Sequence, residues 1–411
     1  MNYISSIFCQ NGGNCHPLIS SYRDSNGYQK APTNVSVTSY KGNIIQNTRL
    51  TDYLYIPIQA TDVIQYIPII GDKNKTISCN AIGILNDNPL IYELMGNNIS
   101  SLINDITYYG LEDVRLVVWN DTLYGIGFRP DIIKGKVIPQ LVEYNDDLSI
   151  NRSWFLNTDK QMEKNWQPIE NMPFTFMYDP DKSFTITLDI DKLDVADNND
   201  SPTIINWIET PEFSFSISGS TQLIRFNDDQ YISICHTGHR YISPVGLEKW
   251  VYNHYFVIYD NDLNKLWTSE PFRFVCDCME FTCGMCRHNN DIYITFTMYD
   301  GIPHVLSISF DKFQEIINNM MDKPGIYEGE PNDKYMVDSY MNNDISSISK
   351  LPYMFYLENI HRLENPNDII ELLESPNILK SIYDGILLFF ITRRHDNQII
   401  LNEFKKYNED Y

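Results

Sequence analysis

The sharpest chemical signal in this sequence is the run Glu112-Asp113-Val114-Arg115, which follows Gly110-Leu111 and leads straight into the apolar segment LVVW. Two carboxylates and a guanidinium this close together are costly to draw into an interior unless they pair with one another or hold something. On a strand with period two, Asp113 and Arg115 point the same way and Glu112 points towards a neighbouring sheet. Spacing alone favours a surface turn closed by a local ion pair. The place of the segment at the head of a buried strand shifts the reading towards a polar channel.

A second group, Glu163-Lys164-Asn165-Trp166, precedes Pro168 and the strand-like FTFMYDP. A mobile cation and an amide beside an indole face suit a sugar ring or an anion, and the plainer alternative is a solvated loop lysine. A third group consists of Gly219-Ser220-Thr221, Cys235-His236 and Tyr252-Asn253-His254, each at a strand end. His236 and His254 could contact a phosphate or a hydroxyl, although a lone histidine on a strand is more often a satisfied structural one. Glu280-Phe281 with Gly284, then Met298-Tyr299-Asp300, form a fourth group.

The segment VCDCMEFTCGMCRH places Cys276, Cys278, Cys283 and Cys286 close together, with His288 after them. Structural zinc sites pair two knuckles across a longer loop, whereas these pairs are four residues apart with Phe281 between them. Free cysteines that behave as small buried hydrophobes fit the segment better, and no metal is expected.

The elements that must position these groups are short β-rich runs separated by Asn/Asp turns. VRLVVWNDTLYGIGF (114–128), TQLIRFNDDQYISICHTG (221–238), YFVIYDNDLNKLWTSEPFRF (255–274) and CRHNNDIYITFTMYDGIPHVLSISF (286–310) all follow this pattern. Asn and Asp tolerate positive φ and cap their own backbone, as hairpin turns require. One module in about 60 residues suits a four-stranded blade, and five modules fill the chain to about residue 310. The expected fold is therefore all-β, a single five-bladed β-propeller domain over 1–411; a pair of β-sandwiches is the cruder rival, in which the polar segments would scatter.

Short helical insertions are expected at 101–107 and 311–322, within a partly helical and loop insertion over 311–385. ILLFFITRRHDNQIILNEFKKY returns to two strands, so 386–408 reads as a closing hairpin. The excess of 54 acidic over 31 basic residues leaves a net charge of −23, which repels phosphate backbones and anionic membranes. Neither nucleic acid nor membrane is expected as a partner. The N-terminus has no signal-peptide pattern and the expected location is cytoplasmic. Sequons such as those at Asn34 and Asn74 arise by chance in so Asn-rich a chain.

Taken in order, these segments resemble the five-bladed propellers of the β-mannoside phosphorylase clan (glycoside hydrolase family 130-like) and their transferase relatives. Those proteins show an Asn-Pro-Ser-Ile-like opening, Glu-Asp-Pro-Arg, a Lys-Asn or Lys-Asp followed by Trp and Pro, and Gly-Gly-Thr/Ser. A strand-end His, Glu-Phe-x-x-Gly and a closing Asp come after. The chain offers Cys15-His16-Pro17-Leu18, Glu112 to Arg115, Glu163 to Trp166, Gly219 to Thr221, His236, His254, Glu280 to Gly284 and Asp300. Val114 stands where the family has proline, and the opening motif is poorly kept.

The resemblance implies a carbohydrate-active enzyme acting on a glycoside or sugar phosphate, with Asp113 as general acid. It gives Lys164 and His254 a part in phosphate or sugar binding. With Arg49 and Arg115 they could form an anion clamp, and Glu112, Asn165 and His236 complete the expected substrate-binding set. Inorganic phosphate is a possible co-substrate and no other cofactor is implied. An acid working near neutral pH needs burial, which raises its pKa, to prevail over Arg115, which lowers it. A hydrolase would need a second carboxylate across the pocket, for which Glu280 or Asp300 are the candidates. The rival from another class is a non-catalytic propeller that binds a glycan or a protein partner.

Overall fold

The computed structural model describes residues 2–18, 31–51, 53–56, 65–68, 75–85, 90–92, 101–103, 106–131, 136–158, 164–189, 203–208, 217–242, 248–275, 280–298 and 302–322. Its strands form the five blades of a propeller. Blade 1 pairs Ala31–Tyr40, Asn43–Thr51 and Lys75–Ile84 as an antiparallel meander. Blade 2 runs through Glu112–Trp119, Thr122–Asp131, Lys136–Tyr144 and Ile150–Thr158. Blade 3 is the smallest, with Gln167–Pro168, Thr175–Asp179 and Phe184–Thr187. Blade 4 is built on the long pair Gln230–Ile242 and Glu248–Asp260, and blade 5 on Glu280–His288, Asp291–Met298 and Ile302–Ser309.

The turn chemistry read from the sequence is realised where the chain reverses. Asn120 and Asp121 take φ of 49° and 61° between the first two strands of blade 2. Both central residues of a primed hairpin turn need positive φ, which Asn and Asp adopt at little cost.

The ring is held by the N-terminal strand Asn14–Pro17, which pairs antiparallel with Ile302–Ser309 and becomes the fourth strand of blade 5. The first and last parts of the propeller are thereby tied in one sheet, and the sheet edge is covered. The hairpin expected at 386–408 and most of the insertion expected at 311–385 lie outside the described residues. The helix expected at 311–322 is present as Phe310–Asp322 (α2), following the short α1 of Ile4–Gln10. The short helix expected at 101–107 does not form. Ser101–Ile103 and Ile106–Tyr109 are strands, and the second runs parallel to the start of Lys75–Ile84 and extends blade 1. The β-branched residues of SLINDITYY fit a pleated sheet, and its apolar spacing serves a strand as well as one helical turn.

The first strands of the blades face one another, joined by side chains that reach across to backbone. Thr295 and Thr297 of blade 5 donate to the carbonyls of Val35 and Thr33 in blade 1, at 2.6 and 3.1 Å. Gln222 donates to the Val37 carbonyl at 2.7 Å and accepts from the Met285 amide at 3.3 Å, joining blades 4, 1 and 5. Gln167 donates to the Thr221 and Ile234 carbonyls, joining blades 3 and 4. Such contacts satisfy buried backbone groups that no ladder reaches. They require close approach: a Cβ on Gly284 would meet the Val37 amide nitrogen at 2.4 Å.

Between blades the core is aromatic. Trp119, Trp154, Trp166, Phe174 and Phe176 share one cluster between blades 2 and 3, and the Trp119 indole donates to the Ile169 carbonyl at 2.8 Å. Phe274 stacks on Phe296 between blades 4 and 5, with ring centres 4.4 Å apart. The amphipathic α2 inserts Phe313 edge-on to Phe8, Phe226 and Phe256. Each buried aromatic of this kind contributes about 1.5–3 kcal/mol of transfer free energy. Among the described residues no helix is long and apolar enough to cross a membrane.

Candidate active site

The head of blade 2 does not run as a regular strand. Glu112 pairs with Phe128 and Arg115 with Ile126, so Asp113 and Val114 together face the single residue Gly127 in a β-bulge. Asp113 sits in the left-handed region at φ 49°. A bulge of this kind re-aims a side chain, and it overturns the period-two expectation for this segment. Blade 1 has its own irregularity at the matching place, between Pro32 and Val35, and this one carries Asn34. The two bulges meet: the Asn34 amide donates to Asp113 Oδ1 at 2.8 Å.

Arg49, from the second strand of blade 1, reaches the same point. Its Nη1 lies 3.2 Å from Asp113 Oδ1 and its Nη2 lies 2.7 Å from Glu112 Oε1, while its Nε donates to Ser78 Oγ at 3.1 Å. Both carboxylates therefore answer to one guanidinium, and Glu112 does not turn to a separate face. Gly110 makes the approach possible. It holds φ of +93°, and a Cβ there would fall 1.8 Å from the Ser78 carbonyl oxygen. Asn80 donates to the Leu111 carbonyl at 3.1 Å and fixes the same turn.

Arg115 is buried and held by four acceptors. Its Nε donates to the Ser220 carbonyl at 2.6 Å, its Nη1 to the Asp113 carbonyl at 2.9 Å, and its Nη2 to Asn165 Oδ1 at 3.0 Å and the Gly219 carbonyl at 3.5 Å. It acts as a strap between the heads of blades 2, 3 and 4. Asn165 takes φ of 68° and leaves the neighbouring Lys164 exposed to solvent. The charge of Lys164 bears on Glu112, Asp113 and His236, as the last of the influences on each.

The two carboxyls leave their ordinary range in opposite directions. Burial pushes Glu112 up, against the pull of Arg49 and Lys164, and the adjacent Asp113 charge pushes it further. For Asp113 burial also acts upward, but Arg49, Arg115, the Asn34 amide and Lys164 together outweigh it and hold the carboxyl below the usual value. The cations win the contest that the sequence left open, so Asp113 is ionised at neutral pH.

His236 hydrogen-bonds Ser220 through Nδ1 at 2.7 Å and is walled by Phe281 and Tyr252. Burial, with His254, Arg115 and Lys164 nearby, holds its pKa well below the usual value. His254 faces His236 in the strand register but lies deeper, against Phe272 and Phe274. Among the described residues neither of its ring nitrogens has a hydrogen-bond partner, and burial beside Arg273 lowers its pKa to about 3. Its place in the register is directly opposite His236, one of the residues on which the charge of Lys164 bears. Glu280 is buried, and its two oxygens accept the amides of Phe274 and Val275 at 2.6 and 2.8 Å.

Asp300, Glu163, Cys276 and Cys278 lie outside the described residues. Cys283 and Cys286 are buried in the first strand of blade 5. Among the described residues no group of His, Cys, Asp or Glu is arranged to hold a metal ion. Asn34, Ser78 and Asn80 were not foreseen as parts of the site. For Asn34 and Asn80 the available signal was a polar amide inside an otherwise strand-like run.

No protein-family model matches this chain, and no curated protein matches it either. Among solved structures it is similar to β-1,2-mannobiose phosphorylase from Listeria innocua, at 12% identity and a TM-score of 0.44, over 75% of this chain and 100% of that one. It is also similar to a GDP-Man-dependent mannosyltransferase from Leishmania mexicana, at 16% identity and a TM-score of 0.42, over 72% of this chain and 90% of that one. A putative glycoside hydrolase from Parabacteroides distasonis gives 12% identity and a TM-score of 0.45, over 71% of this chain and 92% of that one. These are likenesses in the course of the chain, at identities too low to assign a role to any residue.

Proposed function

We propose that this protein is a carbohydrate-active enzyme that transfers a glycosyl unit between a sugar hydroxyl and a phosphate-bearing group, with Asp113 as the proton-transfer residue. The observation that carries this reading is the meeting of Asp113 with Asn34 and Arg49 where two β-bulges face each other. The motif order, with its resemblance to the β-mannoside phosphorylase clan, points the same way.

In the free protein Asp113 is ionised, so its first competence is as a base towards a sugar hydroxyl. An anion bound beside Lys164 and Arg49 would offset the charges that hold the Asp113 pKa down. The same carboxyl then takes up a proton more readily and becomes the acid for the leaving oxygen in the reverse direction. Substrate charge and proton transfer are coupled in this scheme, which suits phosphorolysis or transfer from a phosphate-bearing donor.

Inverting hydrolysis asks for a second carboxylate across the pocket, about 6.5–9.5 Å away, to activate water. Glu112 shares the guanidinium that holds Asp113, and Glu280 is committed to two backbone amides. Both are thereby engaged elsewhere, and Asp300, the other candidate for that second carboxylate, lies outside the described residues. The sugar itself would be held by the Lys164 and Asn165 pair and by Glu112, with inorganic phosphate as co-substrate in the phosphorolytic direction.

The test is release of inorganic phosphate or of sugar 1-phosphate from a panel of β-mannosides, related glycosides and sugar 1-phosphates, with wild type and Asp113→Asn compared. Loss of turnover in a variant that keeps its melting temperature supports the acid–base role, and the product identifies the reaction. Turnover retained by Asp113→Asn removes Asp113 from the chemistry. A wild type that binds glycans but turns over no member of the panel is a binding propeller.

A further inference from the structure

At the other end of the inner strands, between blades 4 and 5 and beside the start of α2, lies an open cavity of about 430 Å³. Its wall includes Arg225, Asn227 and Asp228 of blade 4, Arg287 of blade 5, and Phe310 and Gln314 of α2. Each guanidinium sits over an aromatic ring. The guanidinium carbon of Arg225 is 4.0 Å from the centre of Tyr231, and that of Arg287 is 3.8 Å from the centre of Phe310.

Stacking occupies the faces of a guanidinium and leaves its N–H edge available. Arg225 donates through Nη1 to Asn261, and Arg287 through Nε to the Asn289 carbonyl at 3.4 Å. Arg225 also bears on the Tyr231 hydroxyl, and neither guanidinium forms an ion pair among the described residues. Two pre-oriented forks on one cavity wall match the several oxygens of a phosphate better than the two of a carboxylate.

Two carboxylates bear on the charge of this wall. Glu170 lies beneath it, where its Oε2 accepts the backbone amide of Arg225 at 2.7 Å and forms no ion pair with the Arg225 guanidinium among the described residues. Burial pushes the Glu170 carboxyl above its usual value, which weakens it as a counter-charge. Asp228 stands in the wall itself and opposes an anion. Selection therefore rests on the guanidinium forks, and Asp228 limits affinity.

We propose that this cavity binds the phosphate group of a small phosphorylated molecule, at a site separate from the one around Asp113. The volume leaves room for a sugar-sized remainder next to the phosphate. The experiment is isothermal titration of the full chain carrying Arg49→Met and Lys164→Ala, which remove the two cations proposed to hold an anion at the first site, with inorganic phosphate and with glucose 6-phosphate as probes. Binding of about one equivalent is expected, weakened at least tenfold when Arg287→Ala is added and tightened several-fold by Asp228→Asn. Preference for the ester identifies a phosphorylated metabolite as ligand, and equal affinity identifies free phosphate. Absence of binding by both probes overturns the proposal, as does binding that Arg287→Ala leaves unchanged. Arg287 is an exposed residue, so its removal spares the fold.

Discussion

Glu112 and Asp113 are neighbours in sequence and share the Arg49 guanidinium, yet the pKa of the first is raised and that of the second lowered. Arg49→Met removes the shared cation and leaves two adjacent carboxylates facing one another. A partner removed from a partly buried pair costs about 2 kcal/mol here, less than in a fully dry site because both carboxyls keep some solvent contact. The sign with pH follows from Asp113. A depressed carboxyl stabilises the fold above its unfolded pKa, and that contribution is lost as pH falls through the folded value. The gap between wild type and Arg49→Met in urea denaturation should therefore be full at pH 7.5 and narrow as pH falls below about 4, the ordinary Asp value. A gap that stays constant with pH would mean that Arg49 acts by packing alone.

Gly110 sets how closely the head of blade 2 approaches blade 1. Gly110→Ala combines a left-handed backbone that alanine resists with a Cβ placed on the Ser78 carbonyl. The chain must move, at a cost of about 2–3 kcal/mol. Leu111 to Asp113 move with it, so the contact of Asn34 with Asp113 is broken as well. Thermal denaturation should show the loss, and substrate binding should fall further than stability predicts. Unchanged binding in a folded Gly110→Ala protein would show that the turn does not position the site.

The blades were legible because Asn/Asp pairs such as Asn120-Asp121 mark turns and the runs around them alternate. The inner strands were legible because Glu112-Asp113-Val114-Arg115 leads into a fully apolar segment. The bulges were not. An extra residue inserted opposite Gly127 leaves no periodic trace in eight residues, so Glu112 read as facing away from Asp113. Asn34 drew notice only as a sequon, because an amide on a strand declares itself functional only when the neighbouring blade supplies Asp113. The tie made by Asn14–Pro17 was also hidden, since four residues are too few to show a strand period. The part of Arg115 as a strap was hidden too, because a sequence does not reveal that three blade heads supply acceptors for its N–H groups.

That strap gives a prediction of its own. Arg115→Met keeps volume but leaves the carbonyls of Ser220 and Asp113 and the Asn165 side chain without their donor. Buried acceptors left unpaired cost about 1–3 kcal/mol each, partly relieved by water, so a loss of about 3 kcal/mol is expected. Arg115→Lys should not restore it, because an ammonium has no planar fork to span three blades. Chemical denaturation of both variants separates the two effects. Full recovery with lysine would mean that the charge matters and the geometry does not.

His254 offers a test through proton binding. Its folded pKa of about 3 lies below the ordinary histidine value of about 6.5, so between those limits the unfolded chain binds a proton that the folded one refuses. Stability should fall as pH is lowered through this window, by up to about 1.4 kcal/mol per pH unit from this residue. His236, shifted in the same direction, adds to the slope. His254→Phe removes the titrating group and two unpaired ring nitrogens from a cage that already holds Phe272 and Phe274. The variant should match or exceed wild type at pH 8 and lose stability less steeply between pH 6 and pH 4. Urea midpoints at four or five pH values measure both quantities. An unchanged slope would mean that His254 titrates normally, and a marked loss at pH 8 would mean that its nitrogens hold a bond the aromatic cage conceals.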